Sequence, residues 1–458
     1  MEGAKLMVSE RLASHRSIED ILGVFEQRPG CVFLDSGSHE YGLGRYSILT
    51  CDPFKEIVAW GSRIEIREGT SCREFRGNPF DVLRKEIGKE KVEDQGNFPF
   101  SGGAIGYVAY DAGRARGEDL GNASPDFRFG FYDGALVWDH ESKELHAVVR
   151  SGAKDKDWVL SRLKELEAEA NGDSSLATFE IGEISSNFTR EVYMDRVCKT
   201  RELIRAGDIY QANLSQRFRG SFEGSGLTLY RRLRSSNPAP YAAYLNFGVE
   251  EILSSSPERF FQLNGRDIDT RPIKGTRPRG ANAEEEAAFR KDLENSEKDR
   301  AELLMIVDLE RNDLGRICEA GSIAVKSLFE LETYASVIHQ TATVEGRLNS
   351  GLDAIDCFGA MFPGGSITGA PKIRAMEVIE ELETGNRGVY TGSIGYIGFD
   401  GRADFNIAIR TMRIADGELS FNVGGGIVWD SDPKSEYEET LHKAKALFDA
   451  LGVTRNGD

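Results

Sequence analysis

The sequence predicts an α+β protein, with largely antiparallel sheets in layers and helices against them. Three observations predict it. The N-terminal part alternates short β-like runs with Gly-rich turns, and the C-terminal part mixes strands with longer helices. Strands cluster instead of alternating one-for-one with helices, as a doubly wound sheet would require. With 458 residues, the chain is long enough for one large core or two domains.

The elements follow in order. Apolar runs at 31–34, 46–50, 57–60 and 135–138 read as strands. Residues 160–170 are rich in Ala, Glu and Leu and read as a helix, which Asn171-Gly-Asp-Ser-Ser175 punctuates. A polar stretch then runs to Thr189, which suits the cap of a helix reaching Arg205. A boundary is therefore expected near 173–188, dividing an N-terminal region (1–172) from a C-terminal one (173–458). Asn264-Gly265 is a two-residue hairpin signal between strands at 260–263 and 266–271, a register that sets Glu258 opposite Arg271. A helix is expected over 297–307, and another over 371–382 with Pro371 at its first position. Phe405, Ile407 and Ile409 alternate with Asn406, Ala408 and Arg410, predicting a half-buried strand with Arg410 on its polar face. Ser435-x-x-Glu438 reads as the capping box of a last helix, buried along Leu441, Ala444, Phe448 and Leu451.

Composition excludes several functions. Apolar residues make up 40% and charged residues 29%, and no apolar run approaches the roughly 18 residues of a membrane span. The N-terminus lacks a basic-then-apolar signal pattern. The six cysteines, at 31, 51, 72, 198, 318 and 357, are scattered without a C-x-x-C, as expected of reduced thiols in a cytoplasmic protein. A net charge of −18 argues against nucleic acid as a partner, but a small anionic substrate needs only a local positive cluster. No internal repeat or low-complexity segment is present.

Chemistry concentrates in the C-terminal half. Lys274 lies in Arg271-Pro-Ile-Lys-Gly-Thr-Arg-Pro-Arg-Gly280, where Pro272 fixes the backbone before it and Gly275 frees it after. Beside Glu258 it forms an amine and a carboxylic acid suited to nucleophile and general acid; a weak ion pair is the plainer alternative. Asp299 and Glu302 are three residues apart on one helix, and Glu436 and Glu439 three apart on another. Two carboxylate pairs of this kind suit Mg²⁺, or are simply solvated acidic faces. Lys443 shares the face of Glu436 and Glu439. The loop Phe362-Pro-Gly-Gly-Ser-Ile-Thr-Gly-Ala-Pro-Lys372 has Ala370 where a Walker lysine belongs, which excludes nucleotide binding; small residues entering a helix can still offer N–H groups to an anion. Arg410 suits a carboxylate, and Gly424-Gly-Gly426 admits a close ligand. His339 stands alone as a candidate.

Together these stretches resemble the chorismate-utilising enzyme family. The matching segments are Gly207-Asp-Ile-Tyr-Gln-Ala-Asn-Leu-Ser-Gln-Arg-Phe218, Ser254-Ser-Ser-Pro-Glu-Arg-Phe260, 271–280, 299–316, 362–374, 390–396, Arg410 and 424–443. They keep the family's order and cover nearly all of 185–450. The N-terminal part matches more weakly, through Leu34-Asp-Ser-Gly37, Arg45-Tyr-Ser47 and Gly102-Gly-Ala-Ile-Gly-Tyr107. The resemblance implies a sandwich of two large, mainly antiparallel sheets with flanking helices.

The resemblance also implies chemistry. Gln211 stands where the isochorismate and salicylate branches carry a water-activating lysine. At position 274 the anthranilate branch typically reads Pro-Ile-Ala-Gly and the aminodeoxychorismate branch Pro-Ile-Lys-Gly, so Lys274 places the chain in the latter. The implied reaction is chorismate plus ammonia to 4-amino-4-deoxychorismate, for 4-aminobenzoate and folate. Lys274 would be the nucleophile, Glu258 the acid and His339 an orienting group. Glu302 and Glu439, with Glu436 and Asp299 through waters, would hold Mg²⁺. Arg410, Lys443 and the backbone near Gly425 and Gly426 would hold the anionic ends, with Gln211, Thr276, Thr368 and Tyr390 also lining the substrate. No Cys/His glutaminase signature is present, so a separate glutamine amidotransferase would supply ammonia. Ser36, Arg45, Tyr46, Pro240, Tyr241 and Ala242 fall where the family can bind tryptophan, although Asp35 departs from the pattern of feedback-regulated members. Anthranilate formation is the alternative, and a non-catalytic chorismate-binding subunit a further one.

Overall fold

A computed structural model describes residues 8–12, 18–38, 41–92, 96–113, 124–150, 153, 156–169, 177–334 and 337–453. The expected punctuation at 171–175 lies outside them. Two antiparallel sheets, of 13 and 12 strands among the described residues, face each other. Each sheet joins two blocks. In the first, Val8–Leu12, Glu144–Val149, Gly134–Asp139, Tyr46–Thr50 and Cys31–Asp35 lead to Tyr241–Asn246, Glu250–Ser256, Thr411–Ala415, Glu418–Ile427 and Gln211–Gly224. In the second, Ala403–Asn406 and Ser393–Gly398 meet Gly103–Val108, Phe127–Tyr132 and Lys55–Trp60. The seams are Cys31–Asp35 against Tyr241–Asn246, and Gly103–Val108 against Ser393–Gly398. Strands from both sides of the expected boundary thus share both sheets.

Burial on both strand faces explains the layers. In Cys31–Asp35, Val32 packs between the sheets, while Cys31 and Phe33 point to helices Ile18–Phe25, Lys156–Glu169, Gly226–Ser236 and Pro433–Leu451 on the first sheet's outer side. In Gly103–Val108, Ile105 and Tyr107 face the inter-sheet core, and Ala104 and Val108 face the second sheet's outer core, where helices Pro79–Lys89, Glu297–Gly315 and Ala354–Met361 pack.

Several expected boundaries move. The helix expected at 297–307 runs Glu297–Gly315, capped by Ser296. The last helix begins earlier, at Pro433, because Asp432 and not Ser435 accepts the orphan amide: Asp432 Oδ1 takes the Ser435 N–H at 2.9 Å. Pro371 is the N-cap of Lys372–Leu382, so this helix starts one residue after the expected position. Thr189 caps Arg190–Ala206 as expected.

One buried cation ties three site-bearing segments together. Arg387, with a side chain 0% exposed, donates to Glu383 at 2.7 and 2.9 Å, to the Ile367 carbonyl at 3.1 Å and to the Asn213 carbonyl at 2.5 Å. Arg387→Met strands the Glu383 carboxylate and is expected to cost about 3–5 kcal/mol. A urea unfolding midpoint unchanged from the parent would refute this.

Candidate functional site

The site forms where the chain changes sheets. Glu250–Ser256 belongs to the first sheet and Arg259–Asn264 to the second, so the chain passes between them at Pro257-Glu258. The return pass is 407–410, between Ala403–Asn406 and Thr411–Ala415. The two passes are bonded together: Ser256 Oγ donates to the Ile407 carbonyl at 2.6 Å, and the Ile407 amide donates to the Glu258 carbonyl at 3.0 Å. Arg410 is therefore in a bend at φ 51°, not on the expected strand, which ends at Asn406. Its guanidinium reaches Asn237 Oδ1 at 3.3 Å. Burial pulls the Arg410 pKa down to about 10, with Glu258 opposing.

The hairpin register also differs. Asn264 pairs with Asp267, so Gly265 and Arg266 form the turn, with Gly265 at φ 64°. An irregularity then sets Arg259, not Glu258, opposite Arg271. Glu258 lies beyond the pairing, buried, and its Oε1 accepts the Ile273 amide at 3.3 Å. Burial raises the Glu258 pKa, against Ser366, Lys274, the Ile273 amide and Arg410.

Lys274 sits on a third strand, Ile273–Pro278, beside Glu258 as expected but not on the same hairpin. Gly275, at φ 76°, marks a bulge there. Lys274 Nζ donates to the Ser366 carbonyl at 2.9 Å. Burial lowers the Lys274 pKa; Glu302 and Glu258 oppose it, and Lys443 adds to it. Ser366 belongs to the Gly-rich loop, which Thr368 holds by donating to the Gly364 carbonyl at 2.9 Å. A Cβ on Gly364 would meet Ile407 Cδ1 at 2.9 Å, so glycine lets this loop rest on the return pass.

Two helices bring the carboxylates together. Lys298 Nζ lies 4.0 Å from Glu302 Oε1 and 3.9 Å from Glu436 Oε1. Lys443 Nζ lies 2.7 Å from Glu439 Oε1 and donates to the Gly424 carbonyl at 3.1 Å. Ser431 holds Glu436 at 2.6 Å. Burial raises Glu302 and Glu436, whereas Lys443 lowers Glu439. A Cβ on Gly425 would lie 3.3 Å from Glu436 Oε2 and 3.7 Å from both Glu439 Oε1 and Lys443 Nζ, so this backbone opens directly under the carboxylates. Gly426 instead makes room for Gln211, whose Nε2 a Cβ would meet at 2.0 Å. Among the described residues no three of His, Cys, Asp and Glu form a ready metal cage. The donor set nonetheless suits a hard cation bound partly through water, since a lysine ammonium already bridges Glu302 and Glu436. Asp299 Oδ2 accepts from the Arg277 guanidinium at 3.0 Å, and its charge adds to the rise in the Glu302 pKa.

The other candidates divide. His339 is buried, and its Nδ1 meets the hydroxyl of the exposed Thr276 at 2.9 Å; burial drops its pKa to about 3, so it is neutral. Tyr390 is buried under the Arg387 guanidinium at 5.8 Å. Several buried polar atoms lack partners: both amide atoms of Gln211, Asn213 Oδ1 and His339 Nε2. Unpaired atoms at this density call for a polar ligand. Asn213, Ser366, Lys298 and Glu310 were not among the sequence candidates. Asn213, Ser366 and Lys298 lie inside or beside motifs that were, which was the available signal.

The expected tryptophan residues converge elsewhere. Ser36, Arg45, Tyr46, Pro240, Tyr241 and Ala242 line a cavity of about 310 Å³ at the seams, with Arg259 and Asp404 on its wall. Asp35 is committed to Tyr230 at 2.8 Å and Arg234 at 2.5 Å.

Fold and site define a chorismate-type enzyme architecture. The chain matches the chorismate binding enzyme family over residues 31–449 and belongs to that family. It is 40% identical to aminodeoxychorismate synthase component 1 of Klebsiella aerogenes, across 93% of this chain and 94% of that one. It is 38% identical to anthranilate synthase component 1 of Acetivibrio thermocellus, across 93% and 91%. The crystal structure of anthranilate synthase component I from Streptococcus pneumoniae TIGR4 superposes with a TM-score of 0.77 at 36% identity, covering 88% of this chain and 91% of that one.

Glu310, on the helix of Glu302, is 4% exposed and accepts from Thr270 Oγ1 at 2.7 Å. Burial pushes its pKa from 4.5 up to about 8. The folded state therefore holds this proton more tightly than the unfolded state. The resulting stability is full below about 4.5 and lost as pH rises through about 8. Glu310→Gln should remove that slope, leaving the variant about 2–4 kcal/mol more stable than the parent at pH 9 and near parity at pH 4.5. Urea unfolding at the two pH values checks it.

Proposed function

We propose that this chain converts chorismate and ammonia to 4-amino-4-deoxychorismate. The observation that carries the reading is Lys274, a half-buried lysine whose pKa is lowered, beside Glu258, a buried acid whose pKa is raised. In that state an amine can attack and a carboxylic acid can donate. Glu258 gives its proton to the C4 hydroxyl, which leaves as water. The Lys274 lone pair forms a bond to C2 as both ring double bonds shift, C1=C2 to C1=C6 and C5=C6 to C4=C5. Ammonia then bonds to C4, both double bonds return to C5=C6 and C1=C2, and the Lys274 amine leaves C2; the proton released by the new amine restores Glu258. Dividing one difficult displacement into two is the advantage of a covalent route. Arg410, Lys443 and the Gly425 backbone hold the anionic ends. Glu302, Glu436 and Glu439 would hold Mg²⁺, which when bound neutralises a substrate carboxylate. A separate glutamine amidotransferase subunit would supply the ammonia.

Anthranilate formation is the second reading, favoured by the relative of that name at 38% identity. Tryptophan is the proposed occupant of the seam cavity.

The purified chain with chorismate, Mg²⁺ and ammonium should yield aminodeoxychorismate without pyruvate, read by product mass. Lys274→Ala should abolish it. Anthranilate with equal pyruvate would establish the second reading.

The pH profile carries the second expectation. At a fixed concentration of free ammonia, kcat/KM should be bell-shaped. Its acid limb is protonation of Lys274 and its alkaline limb is ionisation of Glu258. Glu258→Gln should lower kcat by about 10²–10⁴-fold and erase the alkaline limb alone.

A further inference from the structure

Gln340 is buried without any partner. Its side chain is 0% exposed, and neither Nε2 nor Oε1 makes a hydrogen bond. An amide left this way is costly, so such groups persist where another state of the protein satisfies them. Its position is informative. Val337–Arg347 pairs with Ile273–Pro278 so that Gln340 lies directly opposite Lys274. Directly opposed residues of an antiparallel pair project from the same face, with Cβ atoms about 5 Å apart. Helix Glu297–Gly315, which carries Glu302, packs on that pair of strands. Ala342 and Val344, which alternate with Gln340, enter the core formed with Leu303 and Val307 of the helix. Gln340 therefore shares the Lys274 side of the sheet, while its neighbour His339 takes the other face and bonds Thr276.

From this placement we infer that Gln340 is a positioning residue for the Lys274 amine. The inference rests on Lys274 being the nucleophile. A neutral amine has two N–H bonds and one lone pair. The Ser366 carbonyl accepts one N–H at 2.9 Å. With the second N–H held by Gln340 Oε1 as substrate enters, the lone pair has a single direction left. Gln340 does not touch the reacting carbon; it aims the group that does.

The test is Gln340→Met, which keeps length and volume but removes both polar atoms. Steady-state kinetics with chorismate and ammonium should show kcat reduced at least about 10-fold, KM for chorismate within about 2-fold of the parent, and a thermal midpoint equal or higher. Parental kcat overturns the inference. So does a raised KM at parental kcat, which would make Gln340 a substrate contact. Gln340→Glu carries the test if the Met variant fails to fold. A carboxylate facing Lys274 should move the acid limb of kcat/KM up by about one pH unit, and an unmoved limb overturns the placement. Lys274→Ala separates the two failures. If it retains activity, the reading of the site fails; if it is inactive while Gln340→Met is parental, only this inference fails.

Discussion

The site depends on one short pair of hydrogen bonds, from Ser256 Oγ to the Ile407 carbonyl and from the Ile407 amide to the Glu258 carbonyl. These join the two places where the chain leaves one sheet for the other. The passes are paired on either side, Arg259 with Asn406 and Ser254 with Thr411, and these two bonds close the gap between the two ladders. With them, the acid and the guanidinium are fixed to one backbone unit. The Gly-rich loop packs on the same unit through Gly364 and Ile407, and so delivers the Ser366 carbonyl to Lys274.

Electrostatics in this enclosure run against ordinary ionisation. Burial favours the neutral amine at Lys274 and the neutral acid at Glu258. Neither form would dominate for an exposed pair, which would settle as an ion pair of little consequence. At the other end of the site the charges are kept, because Lys298 and Lys443 stand between the carboxylates of the two helices. The site thus has one end where burial works against charge on Lys274 and Glu258, and another where lysines stand among the carboxylates.

Much of this was legible in the sequence, for reasons that differ by element. The α+β class and the antiparallel sheets followed from clustered strand runs, and Thr189 capped its helix as read. Glu258, Lys274 and the paired glutamates were found because their spacing and neighbours are unusual. The hairpin failed at its turn: Gly265 and Arg266, not Asn264 and Gly265, form the two-residue loop, and the irregularity between Arg259 and Gln262 takes back one residue of that offset. The strand through Arg410 failed because alternation looks the same in a strand and in a chain buried on all sides; Ile407 and Ala408 are both fully enclosed. Asp432 was overlooked as a cap because Ser435 completes a better-known pattern three residues later. Gln340 carries no local signal at all, since its significance comes from the residue across the sheet.

The seams bear on how the chain is made. Gly103–Val108 pairs with Phe127–Tyr132 along one edge and finds its other neighbour in Ser393–Gly398. A ribosome adding about 5–20 residues per second needs tens of seconds to cover the roughly 290 residues between them. For that interval the earlier strand has an open edge rich in apolar side chains, the kind of surface that recruits foreign strands. The same delay applies, more briefly, to Cys31–Asp35 awaiting Tyr241–Asn246. The wall of the seam cavity is therefore completed late, once Ile394, Tyr396, Asp404 and Asn406 are made, and any small molecule that fills it bears on a joint between the early and late halves of the chain.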